Sequence, residues 1–131
     1  MKTKNGNSLE WLLEYELTQS TRHRRFASVV MLSANGSTKN LDRIFRDVVR
    51  DSDPLFFVNG SMAVLMGETD SSSALRAVER YREAIGGTMD VRYSVASFPE
   101  DGRVPSDLMG AAQRRMDVAN TLDRGSVVAH G

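Results

Sequence analysis

RDSDPLFFVNGSMAVLMGETD, residues 50–70, is the stretch on which the fold turns. Two apolar runs, 54–58 and 62–66, flank the dipeptide Asn59-Gly60. Asn-Gly between β-prone runs predicts a hairpin, because a two-residue type I′ turn needs positive φ at both central positions. Alternation of polar and apolar residues is weak: Leu55, Phe56, Phe57 and Val58 on one side, Met62, Ala63, Val64, Leu65 and Met66 on the other. Strands that are apolar on both faces belong inside a covered sheet. The hairpin is therefore expected at the centre of the fold, with its tip at the domain edge.

Upstream, residues 1–7 are polar and predict a loose tail ahead of a domain spanning 8–131. Ser8 suits a helix cap, and Leu9, Leu12, Leu13, Glu16 and Leu17 follow helical spacing to about His23. Trp11 and Tyr15 lie on the flank of that helix, where Trp11 reads as packing. Arg22-His23-Arg24-Arg25 reads first as a basic helix end favoured by the macrodipole, and second as a patch for anions. FASVVML, 26–32, predicts a buried strand, and 33–37 a loop. A helix over 38–51 presents Leu41, Ile44, Phe45, Val48 and Val49.

Downstream, Asp70 or Ser71 caps a helix with Ala74, Leu75, Val78, Tyr81 and Ile85 on one stripe, and Gly86-Gly87 stops it. Residues 89–98 alternate and predict a strand with one face more exposed. After the turn at 99–102, a helix to about Arg124 buries Leu108, Ala111, Ala112, Met116, Ala119 and Leu122. Gly125 ends it, and 126–129 closes the chain as a strand. The succession predicts an α+β, ferredoxin-like or split βαβ fold: a mostly antiparallel sheet of about five strands with helices packed on one face.

Composition narrows the function classes. With 131 residues, 40% hydrophobic and 26% charged, the chain fits one globular domain. Seventeen basic residues balance seventeen acidic ones, which argues against a dedicated nucleic-acid binder. There is no cysteine, so disulfides and thiolate metal sites are excluded. No apolar run approaches the ~20 residues that span a bilayer, and the expectation is a cytoplasmic domain without membrane insertion. His23 and His130 suggest no metal site, and no cofactor-binding motif is present.

Several stretches together resemble the GGDEF domain of diguanylate cyclases. Residues 22–32 are similar to that family's helix end and first strand, and Arg50-Asp51-Ser52-Asp53 before the hairpin resembles its RxxD inhibitory site. Residues 62–70 are like the strand and turn that follow the signature, and VASFPEDG, 95–102, matches the late strand and turn most specifically. The resemblance covers about residues 8–128 and implies the palm-type sheet.

It also implies a degenerate domain. The five-residue signature falls on Val58-Asn59-Gly60-Ser61-Met62, where its glycines and acidic pair are missing. The magnesium-holding aspartates of the first strand fall on Ser33 and Asn35, and the late lysine on Leu122. The family's DxLTGLxNR entry motif is absent, and the segment between Asn35 and the Leu41 helix is several residues short, which removes much of the nucleotide-facing helix. A hydroxyl and an amide do not supply the anionic oxygens a hard cation on triphosphate requires. The expectation is a non-enzyme with no catalytic residues and no metal.

Three readings of function remain. The first is a regulatory module in cyclic di-GMP-related signalling that docks on a protein partner or on itself, with the hairpin tip and the Trp11/Tyr15 flank as candidate contacts. The second is a cyclic di-GMP receptor in which Arg50 pairs with phosphate or a guanine edge and Asp53 accepts from guanine N–H groups. The competing structural reading has Arg50 answering a helix dipole and Asp53 opening an Asp-Pro turn. A second RxxD, Arg114 to Asp117, shows how weak the pattern is alone. Residual nucleotide binding or hydrolysis ranks last.

Overall fold

The computed structural model describes residues 3–34, 38–58 and 60–131. Its elements run α1 (Gly6–His23), β1 (Ala27–Ala34), α2 (Thr38–Val48), β2 (Leu55–Val58), β3 (Ser61–Gly67), α3 (Ser71–Ile85), β4 (Val91–Phe98), α4 (Pro105–Ala119) and β5 (Val127–Val128). The five strands form one mixed sheet in the order β2-β3-β1-β4-β5. Only β4 and β5 run parallel; the other three pairings are antiparallel. This is the α+β, palm-type arrangement that the sequence predicts.

The β2–β3 hairpin forms as expected, with Val58 opposite Ser61 and Gly60 at φ +78°. Asn59 lies outside the described residues. Its place in the sheet is different from the expected one: the hairpin lies at one side, and β1 is central, paired with β3 and β4 along Ala27–Leu32. Apolar β2 survives near an edge because the chain's N-terminal segment runs beside it. The Lys4 N–H donates to the Leu55 carbonyl at 2.7 Å, and the Phe57 N–H donates to the Lys4 carbonyl at 3.0 Å. Covering an edge in this way removes a template for unwanted strand pairing. The expected free tail thus includes a residue paired to the sheet, and α1 begins at Gly6 rather than after Ser8.

Helices pack on both faces of the sheet, not on one. Leu41, Phe45, Val78, Tyr81 and Tyr93 belong to a core between the sheet and α2/α3. Leu9, Leu13, Leu17, Leu108 and Met116 belong to a second core under α1/α4. This is why β4, expected to expose one face, is almost wholly buried: Ser94 and Ala96 lie beneath α4 or α1, and the Ser94 hydroxyl donates to the Ala112 carbonyl at 2.8 Å. Small polar residues on a strand were legible as solvent-facing, but a hydroxyl with a carbonyl partner is equally at home in a core.

The last helix stops at Ala119 rather than near Arg124. The Thr121 and Leu122 N–H groups bond three residues back, to Val118 and Ala119, and Leu122 is exposed rather than buried. Gly125, at φ +79°, then donates to the Val91 carbonyl and brings β5 alongside β4. α2 likewise stops short, at Val48 rather than 51, because the residue before a proline is driven out of helical conformation and a turn over 50–53 intervenes. Among the described residues no helix is long and apolar enough to cross a membrane.

Candidate functional site

Two places need describing: the turn before β2, and the sheet end where the hairpin tip meets the end of β1. The turn begins where α2 ends. Phe45 anchors that helix against Tyr81 of α3 (ring centroids 5.5 Å apart, edge-on) and Tyr93 of β4 (6.5 Å), and Val49 is buried. Arg50 follows, exposed, and the Asp53 N–H donates back to the Arg50 carbonyl at 3.0 Å. Pro54 then starts the approach to β2, its carbonyl accepting from the Leu65 N–H.

Across from this turn stands α3. Asp70 caps it, accepting from the Ser73 N–H at 2.8 Å, and that bond holds the Asp70 carboxyl below its ordinary pKa. Arg76 and Arg80 sit one turn apart on the helix face, with buried Ala77 between them. The result is a polar cleft of about 250 Å³ lined by Arg50, Asp53, Glu68, Arg76 and Arg80. Burial pushes the Asp53 carboxyl up, while Arg50 and Arg80 pull it down without overcoming the burial. Among the described residues Asp53 closes no ion pair with either guanidinium. Arg76 donates to the Ser73 hydroxyl at 2.9 Å, and Glu68 pairs with Arg25 at 2.5 Å.

Arg50 and Asp53 therefore both line this cleft. Arg76 and Arg80 were missed by sequence reading. Their four-residue spacing on a helix face was the available signal, but nothing local tells which surface that face meets. Asp53 also borders a second, less polar cleft of about 380 Å³ on the α1 side, with Leu12, Tyr15, Pro54 and Leu65. The second RxxD, Arg114 to Asp117, is exposed on α4, and Asp117 accepts from Gln113 within that helix.

At the other place, the register sets Leu32 opposite Met62, so Ser33 and Ala34 reach the same sheet end as Val58, Gly60 and Ser61. Asn35, the other residue matched to a metal ligand, lies outside the described residues. The described residues here contribute hydroxyls and apolar groups. Asp90, before β4 at the same end, is ion-paired with Arg92 at 2.9 Å. This donor set does not fit a magnesium ion, which takes oxygen ligands dominated by carboxylates and phosphates. Among the described residues no group of three His, Asp or Glu side chains is placed to hold a metal. Three residues, 35–37, join β1 to α2. Trp11, read as packing, is instead 69% exposed, and Tyr15 is 57% exposed.

No protein-family model and no curated protein matches the sequence. Solved structures do match the fold. The GGDEF domain of YfiN (TpbB) from Pseudomonas aeruginosa superposes with a TM-score of 0.86 at 19% identity, covering 99% of this chain and 98% of that one. The active GGEEF domain of a diguanylate cyclase from Vibrio cholerae gives 0.86 at 14% identity, covering 99% of each chain. The diguanylate cyclase SiaD of Pseudomonas aeruginosa, solved in complex with its activator SiaC, gives 0.75 at 17% identity, covering 96% of this chain and 58% of that one. The chain has the fold of GGDEF domains.

Proposed function

We propose that this chain is a regulatory domain of the GGDEF fold that lacks cyclase chemistry and works by binding, with cyclic di-GMP as the ligand of the Arg50–Asp53 cleft. The cleft carries this reading: an RxxD turn faced by two further guanidiniums, Arg76 and Arg80, none of them closed onto Asp53 by an ion pair. Guanidinium forks match phosphate oxygens and guanine edges bidentately, and a carboxylate between them accepts from guanine N–H groups. At about 250 Å³ the cleft takes one phosphate-and-base edge of such a ligand, not the whole molecule.

The non-catalytic half of the reading rests on the sheet end. Two-metal phosphoryl transfer needs carboxylates, metal and phosphate contacts assembled together. Val58-Asn59-Gly60-Ser61-Met62 and Ser33 offer no anionic oxygen. A second reading, a protein-interaction module, is favoured by the exposure of Trp11 and Tyr15, and one structural neighbour, SiaD, binds a protein activator.

Titration calorimetry with cyclic di-GMP decides between them. The receptor reading expects binding that falls at least about tenfold in Arg50→Ala and in Arg80→Ala, since each removes a charge-assisted contact. No heat at high micromolar ligand leaves the interaction module. Conversion of magnesium–GTP to cyclic di-GMP by the wild type overturns the non-catalytic half.

A further inference from the structure

The exposed face of α1 has a pattern that the ligand cleft does not use. Leu9, Leu13, Leu17 and Ser20 point into the core, and on the opposite side Trp11, Glu14, Tyr15, Thr18 and Arg22 are exposed. A tryptophan left 69% open beside a tyrosine left 57% open, on one helix face, is the composition of an interface centre rather than of ordinary surface. Charge along the same face is divided: Glu10 and Glu14 in the first half, Arg22 and His23 in the last turn. Among the described residues no ion pair engages Glu10, Glu14 or Arg22.

We infer that α1 pairs antiparallel with α1 of a second copy of this chain. A twofold axis through the middle of the helix, between Tyr15 and Thr18, sets Trp11 of one copy under Arg22 of the other. That arginine then lies over an indole face and between Glu10 and Glu14, where cation–π and ionic attraction act together. Glu10 meets His23 of the second copy, and Tyr15 meets Thr18, at the level of the axis. The contact is isologous, so each favourable pair occurs twice. A parallel pairing would set Glu10 and Glu14 against themselves and Arg22 against Arg22. Antiparallel helices also align opposed dipoles. The helix has 18 residues, about 27 Å, so two such faces bury an area at the small end of specific interfaces. The dimer is accordingly concentration-dependent, of micromolar affinity. This goes beyond the ligand reading and names the partner that the interaction-module reading leaves open.

Trp11 is the single tryptophan of the chain, so its emission reports this face alone. Sedimentation and fluorescence are measured from low to high micromolar protein without nucleotide. The expected result is a mass rising from 14.5 kDa toward twice that value, with a blue shift of emission over the same concentration range. Trp11→Ala removes the mass increase. Glu10→Lys with Glu14→Lys, and separately Arg22→Glu with His23→Glu, each leave a monomer, because each puts like charges in register. Mixing the two charge-reversed proteins restores the dimer. A wild type that stays monomeric with red emission overturns the proposal, as does a monomer with blue emission or a dimer that survives both reversals alone. None of the substituted residues lines the Arg50–Asp53 cleft, so failure here leaves the cyclic di-GMP titration unaffected.

Discussion

Two of the arginine–aspartate pairs near turns, Arg115 with Asp101 and Arg50 with Asp53, are built in opposite ways. Asp101, in the turn after β4, is clamped by Arg115 of α4: two parallel N–H···O contacts at 2.8 Å, with a third guanidinium bond to the Val95 carbonyl at 2.8 Å. The Ser97 N–H donates to the same carboxylate at 2.8 Å, and Arg115 is only 6% exposed. Arg50 and Asp53, in the turn before β2, share a backbone bond but no side-chain ion pair, and their cleft is open. The first pair has spent its hydrogen-bonding capacity on the fold. The second keeps its capacity for something else, and that difference separates a structural ion pair from a candidate site.

The two pairs differ most in what they contribute to stability. Asp101→Ala strands a buried guanidinium and is expected to cost about 3–5 kcal/mol in urea unfolding, whereas Arg50→Ala, at an exposed position, stays within about 0.5 kcal/mol. If the two substitutions cost the same, the distinction between a closed and an open pair is wrong. In ligand binding the order reverses: Arg50→Ala loses about 1.5–3 kcal/mol of cyclic di-GMP affinity, ten- to hundredfold, and a folded Arg115→Lys protein loses none.

The pH dependence sharpens the contrast further. Hydrogen bonding from Arg115, only partly opposed by burial, holds the Asp101 carboxyl below its ordinary range. Its stabilisation is full above the unfolded aspartate value near ~3.9 and is lost as pH falls through the lower folded value. Asp101→Asn is therefore expected to flatten the acid limb of a stability–pH curve below about pH 4. Asp53 has the opposite sign, because burial raises it above the ordinary range. Its contribution is present below the unfolded value and lost as pH rises through the folded one, so Asp53→Asn gives a small rise in melting temperature near pH 7 that vanishes in acid. A fall at neutral pH would mean that Asp53 is already paired.

Much of this architecture was legible residue by residue. Asn59-Gly60 specifies a two-residue connection through backbone sterics, Asp70 offers its own carboxylate to an N–H three residues on, and Gly86 accepts the positive φ that ends α3. Each of these signals acts within a few residues. The errors fall where the deciding partner is distant. The hairpin's apolar strands suggested a central position, but Lys4, some fifty residues away, is what makes a lateral one tolerable. Trp11, on the flank of α1, reads as packing because its chemistry is apolar, but Leu9, Leu13 and Leu17 already fill the buried stripe of α1, and the rotation of that helix leaves the indole outside.

The candidate site divides along the same line. The sequence by itself determined the order of the elements, the turn types and the RxxD pattern, because propensity, capping and hydrophobic period are local properties of the chain. Only the tertiary structure decided that Arg76 and Arg80 face Arg50 and Asp53, that helices cover both sides of β4, and that Asp101 belongs to Arg115. Those facts depend on the packing of α3 and α4 against the sheet, an arrangement of surfaces that no short window of residues encodes.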